Sequence, residues 1–305
     1  MSASSADAQA AGSTRQASDT SEKIKVAVDG AAASFVLRVW PASDPAAPVL
    51  LILPAMAVKA KFYRAVAAAL NARGLSAATV DLRAQGESEP GVPASAAFGY
   101  REMIEQDLPA ITAAVRERFP LAPLVLFGHS LGGQLALLFA AAHPAGLAAV
   151  IVIGTGSVYW RSFGLAGGLR VLLMGQYIGL VSRLRGHWPG NKAMGGPVSG
   201  RVMTDWARHS RTGHYRPQGA TRDYDRLLGE LSLPVLMISL DADPLGPRPT
   251  VDWLAARLAK AQVTGRHLGA AEGIRNPGHF AWVRDAEALS THLADWTRQA
   301  TTRAP

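Results

Sequence analysis

The chain has 305 residues, 49% of them hydrophobic, and 31 Lys and Arg against 23 Asp and Glu give a formal charge of +8. This length suits one large α/β domain carrying an insertion and excludes a string of small domains. With no cysteine the chain has no disulfide, thiolate metal site or cysteine nucleophile, and a reducing, cytoplasmic setting fits.

Residues 1–22 are mostly Ala, Ser, Gln, Gly and Asp without an apolar core segment, so a disordered tail is expected and not a secretory signal. Residues 34–40 alternate apolar and polar as an edge strand does, and 48–54 form a continuous apolar run suited to a buried parallel strand. A helix is expected over 61–73, with Phe62, Val66, Ala69 and Leu70 on one face and Gly74 stopping it. A strand at 76–80 follows, then a loop through Gly86, Pro90, Gly91 and Pro93, then a helix over 99–119 ended by Pro120. Strand 123–127, helix 133–143 and strand 147–153 come next. They make 123–154 the most apolar span, but glycines and His143-Pro144 interrupt it, so it reads as buried strand, helix and strand and not as an integral membrane segment.

From 157 to 231 the alternation breaks: no clear strands, many glycines and short amphipathic pieces such as 169–184. This stretch holds eleven Arg or Lys against four Asp or Glu, so nearly all the net charge sits there. Strand 234–240, helix 248–261, a short strand at 263–268 and a closing helix at 285–299 restore the pattern. The expected fold is α/β: a mostly parallel central sheet with helices on both faces, built from 23–156 and 232–301, with 157–231 a helical cap or lid.

Gly128-His129-Ser130-Leu131-Gly132 sits between the strand at 123–127 and the helix from 133. A serine there can occupy a strained strand-to-helix turn that lifts its hydroxyl clear of the sheet. A serine hydroxyl needs a base, and the base needs an orienting acid, in the chain order serine, acid, histidine. Asp243 lies past the apolar strand 234–240, before Pro244 and Pro247; Asp241 is the alternative. Of the histidines after the acid, His267 falls in a strand and His292 in a helix, whereas His279 lies in the turn-rich Asn276-Pro-Gly-His-Phe280. The oxyanion donors are expected to be the amides of Leu131, at the start of the helix, and of Met56, in the loop after the strand at 48–54. Such a set needs neither metal nor cofactor.

These residues together resemble the α/β-hydrolase superfamily, from about Lys23 to the last helix. The stretch from Asp81 to Ser88 is similar to that superfamily's Asp-x-Arg-Gly-x-Gly-x-Ser loop, with Ala84 where glycine is usual. Pro54-Ala55-Met56, Phe62-Tyr63, Gly128 to Gln134, Tyr159-Trp160 and Asp205-Trp206 resemble a group of predicted bacterial hydrolases, some of them serine aminopeptidase-like; there Pro-Ala-Met is usually followed by glycine, and here by Ala57. The resemblance implies hydrolysis of a carboxylic ester, a thioester or an amide. Acyl transfer, cofactor-free haloperoxidase chemistry and non-catalytic ligand binding are the alternatives it leaves. A serine at the elbow sets the chain apart from epoxide hydrolases and haloalkane dehalogenases, which carry aspartate there.

Tyr159, Trp160, Phe163 and Tyr177 are candidates to line a pocket for a small acyl substrate under the lid. The arginines of the insertion are compatible with an anionic substrate or with a solvated basic face. Without an aromatic stacking pattern they do not suggest nucleic acid. Nothing in the sequence fixes the oligomeric state.

Overall fold

The computed structural model describes residues 21–28, 30–31, 33–92, 98–191 and 195–302. The expected tail therefore lies outside the described residues as far as residue 20, and Glu22 already belongs to a strand.

Eight strands form one sheet. Strand β1 (Glu22–Ala27) pairs antiparallel with β2 (Ser34–Trp40), from Glu22↔Val39 to Ala27↔Ser34. Thus 34–40 is not the edge strand that its alternation suggests. Its outer partner, Glu-Lys-Ile-Lys-Val-Ala, is mostly exposed and so carries little apolar signal. Then follow β3 (Val49–Leu53), a 3₁₀ turn (Ala60–Tyr63), α1 (Arg64–Ala72) and β4 (Ser76–Val80). A helical turn (Tyr100–Glu102) and a π-type segment (Met103–Asp107) lead into α2 (Leu108–Arg118), where one uniform helix is expected from sequence. Strand β5 (Leu124–His129), α3 (Leu131–Ala142) and β6 (Ala149–Ile153) complete the first part of the core.

The insertion holds a 3₁₀ turn (Trp160–Phe163), α4 (Gly164–Arg185), α5 (Gly200–Thr212) and α6 (Tyr224–Glu230). It also has two short paired strands, β7 (His187–Trp188) and β8 (Val198–Ser199), where none was expected. Where short pieces were expected, α4 runs unbroken. Two of its glycines are sites of close contact and not breaks: a β-carbon on Gly175 would stand 2.6 Å from Ser210 Oγ, and one on Gly179 would stand 2.6 Å from Ala207 Cβ. Strand β9 (Pro234–Leu240), α7 (Arg248–Ala255, shorter than expected), β10 (Gln262–Leu268), a 3₁₀ turn (Ala281–Asp285) and α8 (Ala286–Thr302) close the chain.

The strand order is β1-β2-β4-β3-β5-β6-β9-β10, antiparallel in the first two pairs and parallel from β4 onward. Strands β3, β4 and β6 are buried along their whole length, which is why their sequences are nearly all apolar or small. Alternate residues serve opposite faces: Leu50, Ile52, Val125 and Phe127 join Val66 and Leu70 of α1 and Leu289 and Leu293 of α8. Leu51, Leu53, Leu124 and Leu126 join α2, α3 and α7 on the other side. Because the strands run parallel, the ends of β3, β5, β6, β9 and β10 gather at one edge, and the loops that leave them meet there.

The loop that leaves β4, also parallel to β3, begins at Asp81. Its Oδ1 accepts the Ala60 N–H at 2.6 Å, its Oδ2 accepts the Glu87 N–H at 2.9 Å, and the Ser88 hydroxyl donates to its carbonyl at 2.9 Å. Ala84, where the resembled loop has glycine, holds a left-handed φ of 63°. That region costs a residue with a β-carbon about 1–2 kcal/mol, and the extra freedom of glycine in the unfolded chain offsets about half of it. Ala84→Gly is expected to raise unfolding free energy by about 0.5–1 kcal/mol. Urea titration checks this, and a loss of stability would show that the Ala84 methyl packs well enough to outweigh its backbone.

In the insertion, His209 is buried, with its ring 4.0 Å from Tyr215 and its Nε2 3.2 Å from Ser157 Oγ. Burial pushes its pKa down to about 4, so the unfolded chain takes up a proton near pH 6.5 that the folded chain refuses. The contribution of His209 is whole above pH 6.5 and is lost as pH falls toward 4, amounting to about 3 kcal/mol. The difference in unfolding free energy between wild type and His209→Gln, followed from pH 7 to pH 4.5, should shift in favour of the variant. A constant difference would remove this role.

Candidate active site

The short path from β5 into α3 forces Ser130 into φ 52° and ψ −115°, a strained conformation that the surroundings must hold. The Ser130 N–H donates to the Ile153 carbonyl at 3.1 Å, and the Ser130 carbonyl accepts from the N–H groups of Gly133 and Gln134 at 3.0 and 3.1 Å. The flanking glycines allow the approach: a β-carbon on Gly128 would lie 2.3 Å from Gly133 Cα, and one on Gly132 would lie 2.2 Å from the Leu53 carbonyl. The second contact seats the end of β3, and with it the loop bearing Met56, against the start of α3. As the first residue of α3, Leu131 has an amide with no acceptor within the helix.

Asp243 lies just beyond β9 and is 4% exposed. Its Oδ1 accepts the N–H groups of Leu245 and Gly246, both at 2.8 Å, and His279 Nδ1 stands 2.9 and 2.8 Å from the two carboxylate oxygens. With Nδ1–H donating to the carboxylate, the Nε2 lone pair of His279 is free to take a proton. Asp241 has a different partner: it faces His267 Nε2 at 2.7 Å, and about half of its side chain is exposed. His292 Nε2 is occupied by the Glu272 carbonyl at 2.9 Å. The Asp243–His279 pair lies over the end of β6, where a β-carbon on Gly154 would be 3.0 Å from Asp243 Oδ2 and 3.3 Å from His279 Nδ1. The His279 ring lies 4.9 Å from that of His129, the neighbour of Ser130. No hydrogen bond joins Ser130 to His279 in this conformation of the described residues.

A second buried pair supports this corner. Tyr63, from the 3₁₀ turn before α1, is wholly buried; its hydroxyl accepts the Ala55 N–H at 2.9 Å and lies 2.8 Å from His129 Nδ1. Burial pushes the phenol far up, so Tyr63 stays neutral, and one hydrogen bond joins its hydroxyl to His129 Nδ1. His129 is held well below its ordinary pKa by burial and by His279, and so remains neutral. Tyr63 therefore fastens the Met56 loop to the serine elbow. Sequence reading missed this link; Phe62-Tyr63 and Gly-His-Ser were visible, but not their pairing across 66 positions. Tyr63→Phe leaves the Ala55 amide and His129 Nδ1 unpaired inside the protein, at about 1–3 kcal/mol. If that loop positions the oxyanion, kcat is expected to fall about 10- to 100-fold with KM nearly unchanged, whereas a purely structural role would lower thermal stability alone.

The lid candidates separate. The Tyr159 ring lies 5.4 Å from Trp253 and 6.3 Å from Trp160, and the Arg161 guanidinium sits 5.1 Å over the Trp160 ring. Phe163 is half-buried. Tyr177 does not line a pocket: it is 63% exposed, on the outward face of α4, with its ring edge toward Trp188 at 6.4 Å. A small cavity beside Leu131 is lined instead by Pro197, Val198, Ser199 and Val202 of the insertion, together with Arg83, Phe98 and Met103.

Comparison with known proteins identifies the family and the fold. The profile of the family described as serine aminopeptidase, S33, matches residues 44–196. No curated protein matches the chain. Among solved structures, Est1E from Butyrivibrio proteoclasticus with ferulic acid bound superposes at a TM-score of 0.62, with 14% identity over 92% of this chain and 100% of that one. A thermostable carboxyl esterase from Bacillus coagulans gives 0.61, with 16% identity over 92% and 99%. A thermophilic esterase from Thermogutta terrifontis gives 0.58, with 20% identity over 92% and 99%. At these identities the likeness is one of fold, and it spans nearly the whole of each molecule. The match over half of the sequence and the eight-stranded sheet agree that the chain belongs to the serine aminopeptidase S33 family of α/β hydrolases.

Proposed function

We propose that the protein is a serine hydrolase that cleaves a carboxylic ester or thioester through an acyl-enzyme on Ser130. His279 Nε2 takes the Ser130 hydroxyl proton as Oγ bonds the acyl carbon, and the Leu131 and Met56 amides hold the oxyanion. The imidazolium, steadied by Asp243, then gives that proton to the departing alcohol or thiol as the acyl–oxygen or acyl–sulfur bond breaks. Water attacks the acyl-enzyme by the same route, returning Ser130 and releasing the acid. Residues 157–231 serve as the lid, and Tyr159, Trp160 and Phe163 remain candidates to meet the acyl group.

The single observation that carries this reading is the buried Asp243–His279 pair beside the strained Ser130 elbow. An ester in preference to a peptide is supported by the esterases among the similar folds. A fluorophosphonate probe tests it: the wild type should gain one adduct, located on the peptide holding Ser130, and Ser130→Ala should gain none. Equal labelling of the two would sink the enzyme reading. Release of p-nitroaniline from aminoacyl anilides, with p-nitrophenyl esters left intact, would turn the substrate class to peptides.

A further inference from the structure

The outer face of α4 is apolar where a surface helix is ordinarily polar. Leu165, Leu169, Leu173, Tyr177, Leu180 and Leu184 recur three or four apart along one side and are 54–87% exposed. With Met174 they form a patch at or above the ~300–600 Å² that is the largest on an ordinary soluble monomer. The opposite side of the same helix, through Gly175, Ile178, Gly179 and Ser182, is buried, with Gly175 and Gly179 against α5. The stripe is thus a face of a packed helix. The segment Trp160–Arg185 is long and apolar enough to cross a bilayer, but crossing would strip the buried side from α5.

Charge tells which partner the stripe fits. Helix α4 contains no Asp or Glu, and the exposed Arg170, Arg183 and Arg185 lie among its leucines. A second copy docking through this helix would set arginines against arginines with no acid on the helix to neutralise them. The chain's undescribed residues include only two large apolar side chains, Met1 and Met194, too few to match the stripe. A helix about 33 Å long, with one apolar face, basic side chains and no acid, matches a surface that lies in the plane of a bilayer, leucines among the acyl chains and arginines at anionic headgroups.

We propose that the outer face of α4 is a docking surface for anionic lipid bilayers. This goes beyond the hydrolase reading and does not depend on it. Co-sedimentation of the full chain with phosphatidylcholine vesicles, with and without about one third phosphatidylglycerol, tests it. Partition onto the anionic vesicles should be at least about tenfold stronger and should weaken with added salt. The double variant Leu169→Glu, Leu180→Glu changes exposed positions and should lose at least about tenfold in partition, while its fluorophosphonate labelling and its hydrolysis of a water-soluble ester stay at the wild-type level. Three results would overturn the proposal: no binding to either vesicle, equal binding to both, or a wild-type dimer that the double variant dissociates without any vesicle binding. Failure of the hydrolase reading would show separately, as loss of wild-type labelling with vesicle binding intact.

Discussion

Asp243→Asn is expected to lower kcat on p-nitrophenyl esters by about 10⁴-fold, near 5.5 kcal/mol of transition-state stabilisation, while Asp241→Asn stays within about threefold of wild type. The contrast follows from what each carboxylate touches. Asp243 takes two main-chain N–H groups on Oδ1 and faces His279 Nδ1 with both oxygens, inside the protein. An asparagine there can turn its amide N–H₂ toward Nδ1, which moves the imidazole proton to Nε2 and leaves His279 unable to accept the Ser130 proton. Asp241 pairs with His267 at the surface. Ser130→Ala should cost at least as much as Asp243→Asn, and the double variant should cost little more than Ser130→Ala alone, because residues that act as one unit do not add. Steady-state rates decide it. Equal losses at the two aspartates, or a tenth of wild-type activity left in Asp243→Asn, would remove Asp243 from the mechanism.

How far the sequence discloses this site depends on the range of the contacts. The elbow at Ser130 was legible because its demands are local: small residues where strand and helix backbones touch, an apolar run before and an Ala/Leu-rich helix after. Asp243 and His279 were reachable through chain order and loop position, and the structure pairs them across 36 residues. Order alone left Asp241 open, and its contact with His267 separates the two only in three dimensions. Ala57 and Ala84 stood out as departures from glycine, but their reason appears only in the backbone, where both have positive φ. Strand β1 escaped notice because an exposed outer strand needs few apolar residues. Helix α4 reads as fragments in sequence because glycines that serve close packing look there like glycines that end helices. By residue type Tyr177 suits a pocket, and only its angular position on α4 shows it facing outward.

Arg83→Met is expected to destabilise the fold by about 3–5 kcal/mol at neutral pH. The Arg83 Nε donates to Asp107 at 3.1 and 2.9 Å, its Nη2 completes the fork on the same carboxylate, and its Cζ lies 5.6 Å over the Phe98 ring. Both partners are nearly inaccessible to solvent. Even with Arg83 in place, burial raises the Asp107 carboxyl above its usual range, so without the guanidinium the ionised form has nothing to hold it. The sign of the pH dependence follows. A carboxyl whose folded pKa is raised costs stability when it must ionise and recovers that stability on taking a proton, so the deficit of Arg83→Met should be larger at pH 8 than at pH 5. Adding Asp107→Asn to Arg83→Met should restore much of the loss, since it removes the stranded charge and leaves a neutral amide. Urea unfolding of the four proteins at the two pH values measures the coupling. A deficit that ignores pH, or a double variant no better than Arg83→Met alone, would mean that Arg83 stabilises the loop by packing on Phe98 and not by its hold on Asp107.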